Sequence, residues 1–144
     1  MARVTARIPA TKGRAESRLR NQEPSDQVKI LIVDDDPTTC RLLSLQLEME
    51  GYACETVCDP RAVLSTVAAT CPQIVLLDYH LGRHQGLEVL RALRSKKEYN
   101  NLAVVIMSGL DYQRECESAG ADGFVLKPFS PQDLVNTIQR VLKE

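Results

Sequence analysis

From position 28 onward, short blocks of consecutive apolar residues alternate with longer stretches in which apolar residues recur every three or four positions. Blocks such as Ile30-Leu31-Ile32-Val33 and Ile74-Val75-Leu76-Leu77 are strand-length and bounded by polar residues. The alternation is the signature of repeated βαβ units around a parallel sheet. Five strands are predicted, over 28–33, 52–57, 73–77, 102–107 and 123–126. The first, third and fourth are apolar enough throughout to be covered on both faces. The second, Tyr52-Ala53-Cys54-Glu55-Thr56-Val57, alternates with polar positions as a strand at a sheet edge does.

Helix starts are marked by Asp36-Pro37, Asp59-Pro60 and Ser130-Pro131. Each places a capping side chain before a proline, whose missing N–H costs nothing at the first helical position. The first helix is expected to end at Gly51 and to bury Leu42, Leu43, Leu45, Leu47 and Met49 in part; the second is expected to use Ala62, Val63, Val67 and Ala68. Leu87, Val89, Leu90 and Leu93 form the stripe of the third, and Leu134, Val135, Ile138, Val141 and Leu142 that of the last. A fourth helix near 111–119 is short and weakly apolar. The predicted architecture is α/β, a (βα)5 doubly wound three-layer sandwich in which ligands bind beyond the carboxyl ends of the strands.

Composition narrows the picture little. The chain has 144 residues, 44% hydrophobic and 26% charged, with a formal net charge of −1. No apolar run approaches the roughly 20 residues of a membrane span. Charge is uneven, because 1–27 carries six basic residues (Arg3, Arg7, Lys12, Arg14, Arg18, Arg20) against three acidic ones (Glu16, Glu23, Asp26). The segment reads as a flexible basic tail, with 28–144 as the domain. A transit peptide or an arm for a partner or nucleic acid are the other readings of the tail. Five cysteines without a CxxC pair or a secretory signal point to reduced thiols in a cytoplasmic setting. His80 and His84 lie in a glycine-flanked stretch expected to be loop, which argues against a metal held by that pair.

The strand ends hold the candidate chemistry. Strand one runs into Asp34-Asp35-Asp36, strand three into Asp78, strand four into Ser108-Gly109 and strand five into Lys127-Pro128. Carboxylates at 34, 35 and 78 on one face repel one another, and a hard divalent cation such as Mg²⁺ relieves that repulsion. Asp36 is assigned to helix capping. An ammonium at Lys127 and a hydroxyl at Ser108 complete the parts of a phosphoryl site, with Asp78 as the natural nucleophile.

Together these residues resemble the receiver domains of bacterial two-component response regulators, of the chemotaxis-regulator type. The resemblance covers 28–144. It rests on the acidic pair in Ile32-Val33-Asp34-Asp35-Asp36-Pro37, on Leu76-Leu77-Asp78 with Gly86 eight residues on, on Met107-Ser108-Gly109, and on Gly123-Phe124-Val125-Leu126-Lys127-Pro128-Phe129. It implies a flavodoxin-like sheet of order 2-1-3-4-5. It also implies Mg²⁺ held by Asp35, Asp78 and the backbone carbonyl of His80, with Asp34 acting directly or through water. Asp78 would take a phosphoryl group from a sensor histidine kinase or a histidine phosphotransfer protein, and Ser108 and Lys127 would hold it. Ser108 and Phe124 would then form a switch that alters the surface offered to a downstream protein target. His80 and Leu110 would flank the phosphoryl group and set its lifetime. The expected role is that of a cytoplasmic single-domain regulator or relay intermediate, a phosphoacceptor with its own self-phosphorylation and autodephosphorylation chemistry rather than an enzyme. No membrane association and no direct nucleic-acid binding are expected, and a homodimer is possible.

Three departures from the family pattern matter. Gly82 stands where the family often has proline, which should loosen the loop carrying His80 and Leu81. Only 18 residues separate Ser108 from Lys127, so the fourth helix should be short and the dimer face through it is in doubt. No output segment follows Glu144, so a complete chain would act through a partner's surface. Two other classes fit some of the residues. A Mg²⁺-dependent phosphohydrolase of haloacid-dehalogenase type matches Asp34-x-Asp36 but leaves Asp78 unexplained. A pseudo-receiver adaptor has no use for an intact acidic set. A nucleotide or flavin binder lacks its phosphate loop after strand one.

Overall fold

Strands β1 (Lys29–Val33) and β3 (Ile74–Asp78) bear almost no polar side chain before their ends, and they are buried nearly throughout. The computed structural model describes residues 27–143, so all of the expected basic tail except Gln27 lies outside the described residues. With β2 (Ala53–Val57), β6 (Ala103–Ser108) and β7 (Gly123–Leu126), these strands form one five-stranded sheet of order β2-β1-β3-β6-β7. All four pairings are parallel. Counted among the sheet strands alone, this is the expected order 2-1-3-4-5.

Alternation along each strand divides the core into two. Leu31, Val33, Val75, Leu77, Val104 and Ile106 face one layer of helices, α2 (Val63–Thr70), α3 (Gly86–Arg94) and α4 (Gln113–Ser118). Ile30, Ile32, Ile74, Leu76, Val105 and Met107 face the other, α1 (Pro37–Glu48) and α5 (Pro131–Lys143). Burying each of these branched side chains contributes about 1.5–3 kcal/mol, the main force that holds the strands in register. The polar β2 lies at the edge with Glu55 and Thr56 exposed.

Several expectations need correction. Helix α1 turns only Cys40, Leu43 and Leu47 to the sheet, while Leu42, Leu45 and Met49 remain 55%, 53% and 86% exposed. Apolar residues at both 42/45/49 and 43/47 exceed one helical stripe, and the single covered face takes the second set. Ala68 is likewise exposed, and Leu64 packs in its place. The segment begun by Asp59 opens as a 3₁₀ turn, Pro60–Ala62, before the α-helix proper. The stretch expected to be loose loop is an antiparallel ribbon, β4 (His80–Leu81) paired with β5 (His84–Gln85). Gly82 has φ +64° in its turn, a conformation closed to proline.

Two residues join the layers. A Cβ on Gly86 would collide with the backbone carbonyl of Asp78, so only glycine lets the start of α3 lie against the end of β3. Arg94, at the far end of α3, donates to the carbonyls of Tyr99 (2.8 Å), Leu102 (2.8 Å) and Gly120 (2.9 Å), and to Asp122 (2.9 Å). The same Asp122 oxygen accepts from the N–H of Val104 at 2.9 Å. One guanidinium thus ties together the two loops that enter β6 and β7.

Replacement Arg94→Met keeps the apolar stem but leaves these carbonyls without their donor. Urea unfolding is expected to show a loss of about 2–4 kcal/mol, with Arg94→Lys recovering only a small part.

Candidate functional site

The ladder extends one step past the strands and pins the chemistry-bearing residues by their backbone. Asp34 N–H donates to Val57 O (3.2 Å), Tyr79 N–H to Met107 O (2.8 Å), and Lys127 N–H to Ser108 O (2.7 Å). Asp78 is itself the last residue of β3, paired in register with Met107. Asp78 therefore meets Asp34, 44 residues before it, and Lys127, 49 residues after it, through backbone geometry.

The carboxylates of Asp34, Asp35 and Asp78 offer oxygens all within 4.8 Å of one another. Asp34 and Asp78 are buried, whereas Asp35 is exposed at the mouth. Lys127 Nζ donates to Asp78 Oδ1 at 3.1 Å. Asp34 Oδ1 accepts the N–H of Asp36 at 2.9 Å. Asp36 turns away from the cluster and caps α1, accepting from Thr38 N–H (3.0 Å) and Thr39 Oγ1 (3.0 Å), as expected.

Burial first, and then the neighbouring charges of Asp78 and Asp35, raise the Asp34 carboxyl from 3.8 to about 6, against the lowering effect of the Asp36 N–H and Lys127. One lysine does not neutralise three carboxylates. A half-open, oxygen-only pocket with surplus negative charge suits a hard divalent cation, so the residues present fit Mg²⁺.

Other expected members stand at the rim. Ser108 is buried, and its hydroxyl donates to Leu110 O (2.8 Å) and accepts from Leu110 N–H (3.1 Å), so it is engaged within its own loop and not with Asp78. His80 is exposed, its ring edge-on to Tyr79 with centroids 5.0 Å apart. Leu110 is exposed on the other side. Phe124 is half-buried against the core face that contains Ile106, its partner in register. The peptide between Lys127 and Pro128 is cis.

Sequence reasoning missed Tyr79. It is buried directly after Asp78, stacks on Tyr112 at 4.3 Å, and its hydroxyl meets Glu115 at 3.4 Å. A tyrosine following a buried strand carries no signal that a second ring 33 positions later will cover it.

Comparison with known proteins agrees with this geometry. The family description "Response regulator receiver domain" matches residues 30–139. The response regulator MprA of Mycolicibacterium vanbaalenii is 34% identical over 119 residues, covering 81% of this chain and 51% of that protein. The DNA-binding response regulator MtrA of Mycolicibacterium smegmatis is 34% identical over 119 residues, covering 80% and 50%. The chain thus spans about half the length of these curated relatives. Among solved structures, the chemotaxis response regulator CheY4 of Vibrio cholerae superposes with a TM-score of 0.74 at 27% identity, over 80% of this chain and 98% of that one.

Asp34 tests the charge balance. Its folded-state value lies above the unfolded one, so the folded protein holds a proton that the unfolded chain has released, and this residue costs stability as pH rises from about 4 through 6. Without metal, Asp34→Asn is expected to be more stable than the wild type by about 1–2 kcal/mol at pH 7 and by less at pH 4. The same variant is expected to bind Mg²⁺ at least tenfold more weakly. Urea unfolding at the two pH values and a Mg²⁺ titration read both effects.

Proposed function

This chain belongs to the response regulator receiver domain family of two-component systems, and on that premise we propose that 28–144 is a receiver in which Asp78 accepts a phosphoryl group. The observation that carries the proposal is the Lys127 ammonium 3.1 Å from Asp78 Oδ1, at the one strand edge where three carboxylate side chains converge. The donor is a phosphohistidine on a sensor histidine kinase or histidine phosphotransfer protein. Lys127 meets Oδ1, which leaves Oδ2 to attack phosphorus. The P–N bond breaks with its electrons returning to the imidazole, and an Oδ2–P bond forms. No proton has to be removed from the nucleophile first.

Lys127 compensates charge on the incoming oxygens, as a preorganised cation does without reorganising. Mg²⁺ held by Asp35, Asp78 and the carbonyl of His80, with Asp34 direct or through water, would supply further charge neutralisation when bound. Ser108 reaches a phosphoryl oxygen only by giving up its bond to Leu110 O, and the loop after β6 moves with it. Phe124 turns into the vacated space. This exchange of partners is the switch, a packing event biased by one charge. His80 and Leu110, two residues beyond Asp78 and Ser108 and both exposed, are the side chains assigned here to control access of water to the phosphoryl group.

The output is a changed surface read by a downstream protein, and the site acts as a phosphoacceptor with self-phosphorylation and autodephosphorylation of its own. No helix among the described residues is long and apolar enough to cross a membrane. The expected lack of nucleic-acid binding draws no support from relatives such as MtrA, whose name describes a DNA-binding protein and half of whose length is matched by this chain.

Incubation with acetyl phosphate and Mg²⁺ is expected to add a single phosphoryl group by intact mass. EDTA and Asp78→Asn should abolish the adduct, and Lys127→Ala should slow its formation roughly 100-fold. An adduct that survives Asp78→Asn and maps to Asp34 would replace this reading with the phosphohydrolase one. No adduct on folded, Mg²⁺-binding protein, together with no beryllofluoride complex, would leave a phosphate-independent adaptor.

A further inference from the structure

Behind the acidic pocket, two sulfurs from different elements come within reach of each other. Cys40 lies in the first turns of α1 and Cys58 immediately follows β2, and their Sγ atoms are 3.8 Å apart. Cys40 is buried and also within 3.4 Å of the carbonyl oxygen of Asp34, while Cys58 is exposed. The backbone around them is held firmly, because Val57, next to Cys58, pairs with Val33 and accepts from Asp34 N–H at 3.2 Å. Among the described residues no other pair of cysteine sulfurs makes a contact.

A disulfide needs its sulfurs at about 2.05 Å. Closing the gap from 3.8 Å falls to the exposed Cys58, which lies just past Val57, the last paired residue of β2. Accessibility divides the roles, since an oxidant meets Cys58 first and Cys40 stands behind it as the resolving thiol.

We propose that Cys40 and Cys58 form a hydroperoxide-sensitive modification site that closes into a reversible disulfide. With hydrogen peroxide, Cys58 Sγ attacks one peroxide oxygen, the O–O bond breaks, and one water leaves, giving a sulfenic acid. Cys40 Sγ then displaces hydroxide from the Cys58 sulfur, and that hydroxide takes the Cys40 thiol proton and leaves as the second water. Two thiols and one peroxide thus become one disulfide and two waters, with two electrons passing from sulfur to oxygen. The new bond ties the loop after β2 to α1 directly behind Asp34, and a dithiol reductant reopens it.

The full chain is treated with hydrogen peroxide, its remaining thiols are blocked with N-ethylmaleimide in denaturant so that the buried Cys40 and Cys116 are reached, and it is mapped by mass spectrometry without reduction. The expected result is a loss of two reactive thiols from the five in the chain, a peptide linking positions 40 and 58, and full recovery with dithiothreitol. Cys58→Ser, at an exposed position, should lose the crosslink, while Cys71→Ser, exposed elsewhere on the surface, should keep it. Five thiols still labelled, a crosslink between other cysteines, or Cys58 oxidised to sulfinic acid with Cys40 still free would overturn the proposal.

Discussion

Parallel register is the constraint on which the rest depends. Five strands run the same way, so their carboxyl ends share one edge, and whatever side chain follows each buried block is carried there regardless of its charge. Left to themselves, Asp34, Asp35 and Asp78 would move apart. They cannot, because the hydrophobic core on both faces and the bonds from Asp34, Tyr79 and Lys127 to neighbouring strands hold the backbone. The apolar interior thereby stabilises an arrangement that electrostatics opposes, and the surplus negative charge held there suits the pocket to a cation.

The helices serve that edge from both sides. Asp36 spends its carboxylate on capping α1 and so keeps that charge out of the pocket, although it adjoins Asp35. Gly86 lets α3 begin against the carbonyl of Asp78, which fixes the direction in which β3 ends. At the opposite edge, Arg94 gathers three carbonyls from two loops that would otherwise face one another without a donor. The segment from Ser108 to Ala119 carries the shortest α-helix among the described residues. Its helix is only six residues long, with Cys116 its single buried side chain.

Much of this was legible in the sequence, for identifiable reasons. Strands buried on both faces announce themselves as unbroken apolar blocks, and the residues that end those blocks, Asp34, Asp78, Ser108 and Lys127, inherit their position from the topology. Aspartate or serine before proline located three starts of helical structure. Other features depended on information that a single stretch does not contain. Helix α1 has more leucines than its one covered face can take, so Leu42 and Leu45 could not be separated from Leu43 and Leu47 without knowing where the sheet lies. The ribbon at His80–Gln85 is too short for any periodicity. The role of Arg94 and the approach of Cys40 to Cys58 arise between segments distant in sequence, and nothing local to either residue reveals them.

One optical consequence follows from Tyr79. The chain contains no tryptophan and four tyrosines. Tyr52 and Tyr99 lie toward the amino-terminal ends of the strands, whereas Tyr79 and Tyr112 stack against each other beside the pocket, one just past the end of β3 and the other in the segment after Ser108. Stacked phenols exchange excitation and quench differently from separated ones. Ultraviolet emission from this protein, unmasked by indole, therefore carries a built-in gauge of whether those two segments remain face to face.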